Sequence, residues 1–269
     1  MPWPWRRKTR RTLARLAIEG PIAGPTRQRV LKALEQVRQR ECPALLLRID
    51  SPGGTVGDSQ EIHAAVRRLR DQGCRVVASF GNISASGGVY VGVAAEKIVA
   101  NPGTITGSIG VILRGNNLSR LLERIGIQFE TVKSGLYKDI LSPDRALSDD
   151  ERALLQALID ASYGQFVTAV AEGRGLTEEQ VRAFADGRVF TGAQALSHGL
   201  VDALGDEEAA RQLAAQLAGL EPTVKPVEFG RPNRRLAGLI PGRALMAPLL
   251  EALQLELAWN GQPLWLHRP

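Results

Sequence analysis

The residues whose types and spacing best fit catalysis lie in segment 82–90, which reads Asn-Ile-Ser-Ala-Ser-Gly-Gly-Val-Tyr. This segment follows an apolar run, 75–80, that is typical of a buried strand. A hydroxyl residue on a turn after a strand is well placed to act as a nucleophile, and glycines beside it let backbone N–H groups approach a developing oxyanion. The same letters also fit an ordinary small-residue turn. Segment 82–90 alone therefore leaves both interpretations open.

A second glycine turn precedes it along the chain. The apolar run 44–49 predicts a strand, and it is followed by Asp-Ser-Pro-Gly-Gly-Thr, which contains Gly53 and Gly54. A helical pattern begins near Ser59. Two successive strand–loop–helix units thus place a Gly-Gly pair at the carboxyl end of a strand, where open α/β sheets usually bind ligands. The pattern predicts one site in which one loop offers the nucleophile and the other supplies N–H donors.

Five segments in this order resemble the signal peptide peptidase A (SppA) and protease IV family of serine peptidases. The segments are 45–54, 82–90, 106–111, 133–139 and 186–192. The likeness runs from about Ala14 to Leu217. It implies an α/β fold, a crotonase/Clp-protease-like spiral of repeated β-β-α units with a C-terminal helical extension. We expect a short, single-length form without a membrane anchor.

A serine hydroxyl needs a neighbouring base to become a nucleophile. The three histidines, His63, His198 and His267, all lie outside the glycine loops, so a Ser-His-Asp triad has little support. The resemblance instead implies a lysine base, Lys138. A lysine must be uncharged to act, so its ordinary pKa of about 10.4 must be lowered by burial and polar neighbours. The adjacent Asp139 would oppose this change if its carboxylate faced the ammonium group.

The resemblance implies a Ser/Lys dyad, with Ser86 as the nucleophile and Lys138 as the general base. The amides of Gly53 and Gly87 would form the oxyanion hole, and Gly54 is the alternative to Gly53. The expected reaction is peptide hydrolysis through an acyl-enzyme. The expected substrates are signal-peptide remnants or other short or unfolded peptides.

Three further serines leave alternatives open. Ser84 is a rival nucleophile, although the family pattern puts the reactive serine directly before the Gly-Gly pair. Ser108 and Ser134 lie near family motifs and could hydrogen-bond the lysine. Two other classes of function also remain, namely a crotonase-like acyl-CoA enzyme and a catalytically silent scaffold of the same fold.

The composition fits a globular enzyme, since 44% of the 269 residues are hydrophobic and 23% are charged. Cys42 and Cys74 are too few for a disulfide framework and are not spaced as metal ligands. We therefore expect neither metal nor cofactor. A reducing, cytoplasmic compartment fits this cysteine content.

The net charge of +6 arises in the first 15 residues, which hold six basic residues, no acidic one, and both Trp3 and Trp5. Such a tail suits a peripheral contact with a membrane surface, and it equally suits a solvated tail. Without a recognition motif, nucleic acid is not an expected partner. No stretch approaches the roughly 18 apolar residues that span a bilayer, and the tail lacks the pattern of a secretory signal.

We predict a basic tail over 1–12, a peptidase domain over 13–220, and a Pro/Arg-rich linker with a leucine-rich arm over 221–269. The arm, 244–259, predicts an oligomer contact. The resemblance also implies a homo-oligomer whose active sites are shared between protomers. Within the domain we predict strands at 13–18, 44–49, 75–80, 97–100 and 128–132, and helices at 26–40, 59 onward, 87 onward, 117–126, 148–171, 177–184, 191–198 and 207–217.

Overall fold

A computed structural model describes residues 11–231 and 263–266. In these residues the strands are β1 Leu13–Glu19, β2 Ala44–Ser51, β3 Gly53–Thr55, β4 Arg75–Ala85, β5 Lys97–Ala100, β6 Ile105–Gly107, β7 Val189–Thr191, β8 Ala203–Leu204, β9 Val227–Phe229 and β10 Leu264–Leu266. The helices are α1 Gly24–Gln39, α2 Val56–Asp71, α3 Gly87–Gly92, α4 Ser119–Ile125, α5 Asp149–Arg174, α6 Glu178–Arg182, α7 Gly192–Ser197 and α8 Glu207–Leu217.

The central sheet runs in the order β7-β6-β4-β2-β1-β9, and β5 joins β4 to β8. All of these pairs are parallel except β6 with β7. Helices cover both faces of the sheet, which explains why its central strands are almost continuously apolar. Leu45 and Leu47 of β2 face α1, α2, α3 and α5 in the main core, whereas Leu46 faces α8. The sheet therefore holds the carboxyl ends of β2 and β4 side by side.

The predicted helices and four of the five predicted strands are confirmed. The sequence signals that begin three of the later helices are capping boxes, in which a hydroxyl residue and the glutamate or glutamine three positions later cap each other. These residues are Ser148 with Glu151 in α5, Thr177 with Gln180 in α6, and Thr191 with Gln194 in α7.

The strand predicted at 128–132 is wrong. These residues have no regular structure and are exposed, with Phe129 at 58% and Val132 at 101% of full exposure. Among the described residues, no strand lies beside this segment to pair with its alternating apolar pattern. Conversely, the sequence patterns did not predict β3 or β6–β10 as strands. Each has two or three residues, so its partner rather than its own sequence defines it.

Two strands lie in the segment predicted as linker and arm. β9 pairs with β1, and β10 pairs antiparallel with β3. Arg15, counted above with the basic tail, belongs to β1 and forms ion pairs with Glu207 and Glu228. Residues 1–10 of the predicted tail and the arm at 244–259 lie outside the described residues. Among the helices that the structure describes, none is both long and apolar enough to cross a membrane.

Candidate active site

Ser86 sits on a sharp turn between β4 and α3. Its backbone has φ 53° and ψ −116°, an unfavourable conformation for a residue with a side chain. Two hydrogen bonds hold it there, one from its N–H to the Gly107 carbonyl at 2.8 Å and one from the Tyr90 N–H to its own carbonyl at 3.0 Å. The residue is 1% exposed. β4 continues to Ala85, beyond the predicted end at 80, so the turn follows the strand without an intervening loop.

The two glycine loops meet beside Ser86. A methyl group placed on Gly53, where φ is +102°, would lie 2.7 Å from the Gly87 amide nitrogen. One placed on Gly87 would lie 3.1 Å from the Gly54 amide nitrogen. Only glycine fits where backbones approach this closely. The structure thus brings together Ser86 and all three glycines that the sequence singled out as N–H donors.

These donors are not equally free. Gly87 is the first residue of α3, so its N–H has no acceptor within the helix. The Gly53 N–H donates to the Ser51 hydroxyl at 3.1 Å. Gly53 must give up this bond to act on an oxyanion, and Gly54, which pairs with Trp265 of β10, stays the alternative.

The rival nucleophile, Ser84, has a committed hydroxyl. It is fully buried and donates to the Ile49 carbonyl at 2.6 Å. The Ser86 hydroxyl, in contrast, makes no side-chain hydrogen bond with any residue that the structure describes. Of the two, Ser86 has the hydroxyl that is free to react.

Lys138 lies on an exposed segment that follows α4. Its backbone N–H donates to the Gly135 carbonyl, and its side chain is exposed. Among residues 11–231 and 263–266, its ammonium group has no hydrogen bond or ion pair, and none joins it to Ser86. The described part of a single chain therefore presents the two predicted dyad residues in opposite settings, one buried and one exposed.

Asp139 does not oppose Lys138, because its carboxylate is engaged elsewhere. It pairs with Arg145 at 2.9 Å and with Lys133 at 2.6 Å. Hydrogen bonds first from Arg145 and then from Lys133 hold the pKa of Asp139 well below its usual range. Arg145 also binds Glu151 of the α5 capping box. No motif in the sequence indicates this network, whose only signal is an acidic residue with basic residues six positions away on either side.

Neither of the two histidines that the structure describes makes a hydrogen bond to Ser86. His63 is buried against Tyr90, with ring centroids 4.8 Å apart, and burial together with Arg67 lowers its pKa to about 4. His198 ends α7 and stacks on Phe184. His267 lies outside the described residues. Ser134 is exposed, while Ser108 is largely buried and donates its N–H to the Arg188 carbonyl. No group of three or more His, Cys, Asp and Glu residues in the described ranges could hold a metal ion.

An unpredicted element also reaches the site. Trp265 of β10 places its carbonyl oxygen 1.9 Å from a methyl built on Gly53 and 3.1 Å from one built on Gly87. Its side chain is fully buried among Tyr90 and Phe166. Nothing local in the sequence indicates this contact, because β10 lies about two hundred residues after β3.

The fold is similar to that of a ClpP1 variant from Listeria monocytogenes, with a TM-score of 0.52 and 19% identity over 75% of this chain and 94% of that one. This likeness confirms the Clp-protease-like class of fold. Residues 68–221 match the model of peptidase family S49.

Two relatives extend the match. The chain is 57% identical, over its whole length and that of the relative, to a protein of Synechocystis sp. that is named as a protease. It is 38% identical over 67% of its length to an Enterococcus faecium protein named as a signal peptide peptidase SppA, of which it covers 53%. The chain belongs to peptidase family S49, and its class is that of the serine peptidases.

Proposed function

We propose that this protein is a Ser/Lys peptidase in which Ser86 is the nucleophile and Lys138 of a neighbouring protomer is the general base. The observation that carries the proposal is the position of Ser86, on a strained turn between two glycine loops and with an uncommitted hydroxyl. Strained backbone of this kind is concentrated at functional sites. We infer that the substrates are signal-peptide remnants or other short or unfolded peptides.

The chemistry follows from these groups. The Ser86 oxygen attacks a peptide carbonyl while its proton passes to the uncharged amine of Lys138. The N–H groups of Gly87 and of Gly53 or Gly54 stabilise the oxyanion. The lysine then gives the proton to the departing amine, which leaves an ester on Ser86. Water, deprotonated by the same lysine, hydrolyses the ester and restores the serine.

The surroundings of Lys138 support completion of the dyad by a second protomer. Segment 118–137 exposes several large apolar side chains, as a contact surface would. They include Leu121, Ile125, Phe129, Val132 and Leu136. If this surface is buried against a second copy of the chain, Lys138 leaves water, and desolvation favours its uncharged form. A homo-oligomer would therefore supply both the position and the chemical state of the base.

Replacing Ser86 with alanine tests the proposal. We expect hydrolysis of an unfolded protein and of a model signal peptide to fall by at least about a thousandfold, because the acyl-enzyme cannot form. Covalent labelling by a serine-reactive phosphonate should disappear with it. Ser84→Ala is the matched control, since it removes a neighbouring buried hydroxyl and should leave both activities in place. Labelling that follows Ser84 instead would overturn the assignment.

A further inference from the structure

β4, the strand that leads to Ser86, changes its partner strand shortly before the turn. Residues 77–80 pair with β5, whereas residues 83–85 pair with β6. On its other edge β4 has three residues, 81–83, opposite the single residue Asp50 of β2. Such an excess of residues is a β-bulge, which bends a strand and re-aims the side chains that follow it. The bulge in β4 therefore lies directly before the candidate nucleophile.

Asp50 stands opposite the bulge and binds its backbone. One oxygen of its carboxylate accepts the N–H of Ile83 at 3.1 Å, and the other accepts the N–H of Asn82 at 3.3 Å. A bulge takes backbone groups out of the regular ladder, so these groups need other partners. Hydrogen bonds to an ionised carboxylate are stronger than those between neutral groups. A single side chain thus satisfies two amides of the bulge.

Gly81 lets the carboxylate come this close. A methyl group placed on Gly81 would lie 2.7 Å from the carboxyl carbon of Asp50, which is closer than such atoms approach in proteins. A side chain at this position would push the carboxylate away from the bulge. The Gly81 carbonyl, in turn, accepts the hydroxyl of Thr104 at 2.7 Å. Side chains therefore hold the bulge through its amides and through a carbonyl.

The bulge sets the register in which β4 arrives at the turn. Ser86 follows Ile83 by three residues, and its N–H bonds the carbonyl of Gly107 at the end of β6. Side chains alternate between the two faces of a sheet, so a slip of one residue turns every following side chain to the opposite face. Loss of one residue from the bulge would move Ser86 off the turn and bring a neighbour into its place.

We propose that Asp50 is a positioning residue for the nucleophile. By holding the amides of Asn82 and Ile83, its carboxylate fixes the bulge, and the bulge places Ser86 on its turn. Asp50 acts through the backbone of β4 and does not touch the substrate. That the positioned serine attacks a peptide carbonyl rests on the proposed function, whereas the effect of Asp50 on the backbone of β4 does not.

Asp50→Ala and Asp50→Asn test this role in the full-length protein. Alanine removes both acceptor oxygens, whereas asparagine keeps one. For a model signal peptide we expect kcat to fall about a hundredfold with alanine and about tenfold with asparagine, because a small displacement of a reacting group is costly. KM should stay within about twofold of the wild-type value. Circular dichroism confirms that each variant is folded. Wild-type kcat in folded Asp50→Ala would overturn the proposal.

Glu19→Ala is the matched control. Glu19 is the register partner of Asp50 on β1, so the two side chains point to the same face of the sheet. Glu19 is exposed, and in the described residues no hydrogen bond joins it to the bulge. We expect Glu19→Ala to keep the wild-type kcat. An equal loss in Glu19→Ala and Asp50→Ala would assign the effect to the charge of this sheet edge and overturn the role of the two hydrogen bonds.

Hydrogen exchange separates this proposal from the proposed function. In Asp50→Ala we expect the amides of segment 81–87 to exchange at least about tenfold faster than in the wild type, while those of 44–49 in β2 keep their protection. Mass spectrometry of peptic peptides provides the measurement. Faster exchange without any hydrolysis by the wild type would contradict the proposed function alone. Hydrolysis by the wild type, with unchanged exchange and kcat in Asp50→Ala, would contradict the positioning role alone.

Discussion

Ser86 and Lys138 differ in what they need from their surroundings. The serine needs a fixed position, which the turn between β4 and α3 provides through its backbone. As the proposed base, the lysine would have to leave water, and in the described part of one chain it lies on an exposed segment. Under the proposed mechanism, the described part of one chain therefore supplies only the serine in a defined position.

Lys138→Arg tests the role of the base. Arginine keeps the positive charge and the approximate reach but stays protonated throughout the accessible pH range. We expect kcat/KM for a peptide substrate to fall by about a hundredfold or more, with no recovery as the pH is raised. Lys133→Arg is the control, because its ion pair with Asp139 needs only the charge. Retained activity in Lys138→Arg would exclude proton transfer by this residue.

At the residue scale, the sequence predicts positions that are fixed by short motifs next to a strand. It does not predict side-chain contacts between residues of separate elements. Ser86 and the three glycines stand in short motifs that directly follow apolar strands, so their meeting at one sheet edge could be predicted. The direction of the Asp139 carboxylate could not, because Arg145 and Glu151 decide it through contacts that no periodicity records. Trp265 could not be placed either, since its partners come from three other elements.

At the scale of elements, α2 packs on α3 through a buried histidine. His63 lies against Tyr90, and burial keeps it uncharged, with its pKa lowered to about 4 from the ordinary value of about 6.5. Its folded pKa lies below its unfolded pKa, so the unfolded chain binds more protons between these values. Stability is fully present above about pH 6.5 and falls as the pH drops toward 4.

We expect His63 to lower the free energy of unfolding by about 2 kcal/mol when the pH falls from 7.5 to 5. Urea denaturation at the two pH values measures this change. His63→Gln should remove that part of the pH dependence, because glutamine does not titrate. His198→Gln is the comparison, since it alters a histidine outside the contact of α2 with α3. Parallel pH curves for wild type and His63→Gln would contradict the burial argument.

The elements also show where periodicity fails. Strands β1, β2, β4 and β5 form the buried centre of the sheet, so their apolar runs identified them. In segment 128–132 polar and apolar residues alternate as they do in a half-buried strand. The segment is nevertheless exposed, and it precedes Lys138 along the chain. Alternation alone therefore does not identify a strand where the described structure has no partner strand for it.

At the scale of the whole molecule, activity should require assembly. We expect Ser86→Ala and Lys138→Ala proteins to be inactive separately. Mixed under conditions that allow subunits to exchange, they should recover up to about a quarter of wild-type activity, because one kind of interface in four joins two intact residues when the subunits mix at random. Peptidase assays on the mixture, with exchange followed by fluorescent labels, provide the measurement. A silent mixture with proven exchange would place the dyad within one chain.

The pairing of β10 with β3 has a consequence for the order in which the molecule is built. It closes a loop of about two hundred residues, whereas β1, β2 and β4 come from the first third of the chain. Closing a longer loop adds only about 0.6 kcal/mol per doubling, so timing rather than entropy separates the two events. During synthesis the glycine loops and the turn at Ser86 can form while the residues of β10 have yet to be made. A nascent molecule therefore first has β3 without its partner strand, and β10 covers that edge of β3 only after the C-terminal residues have been made.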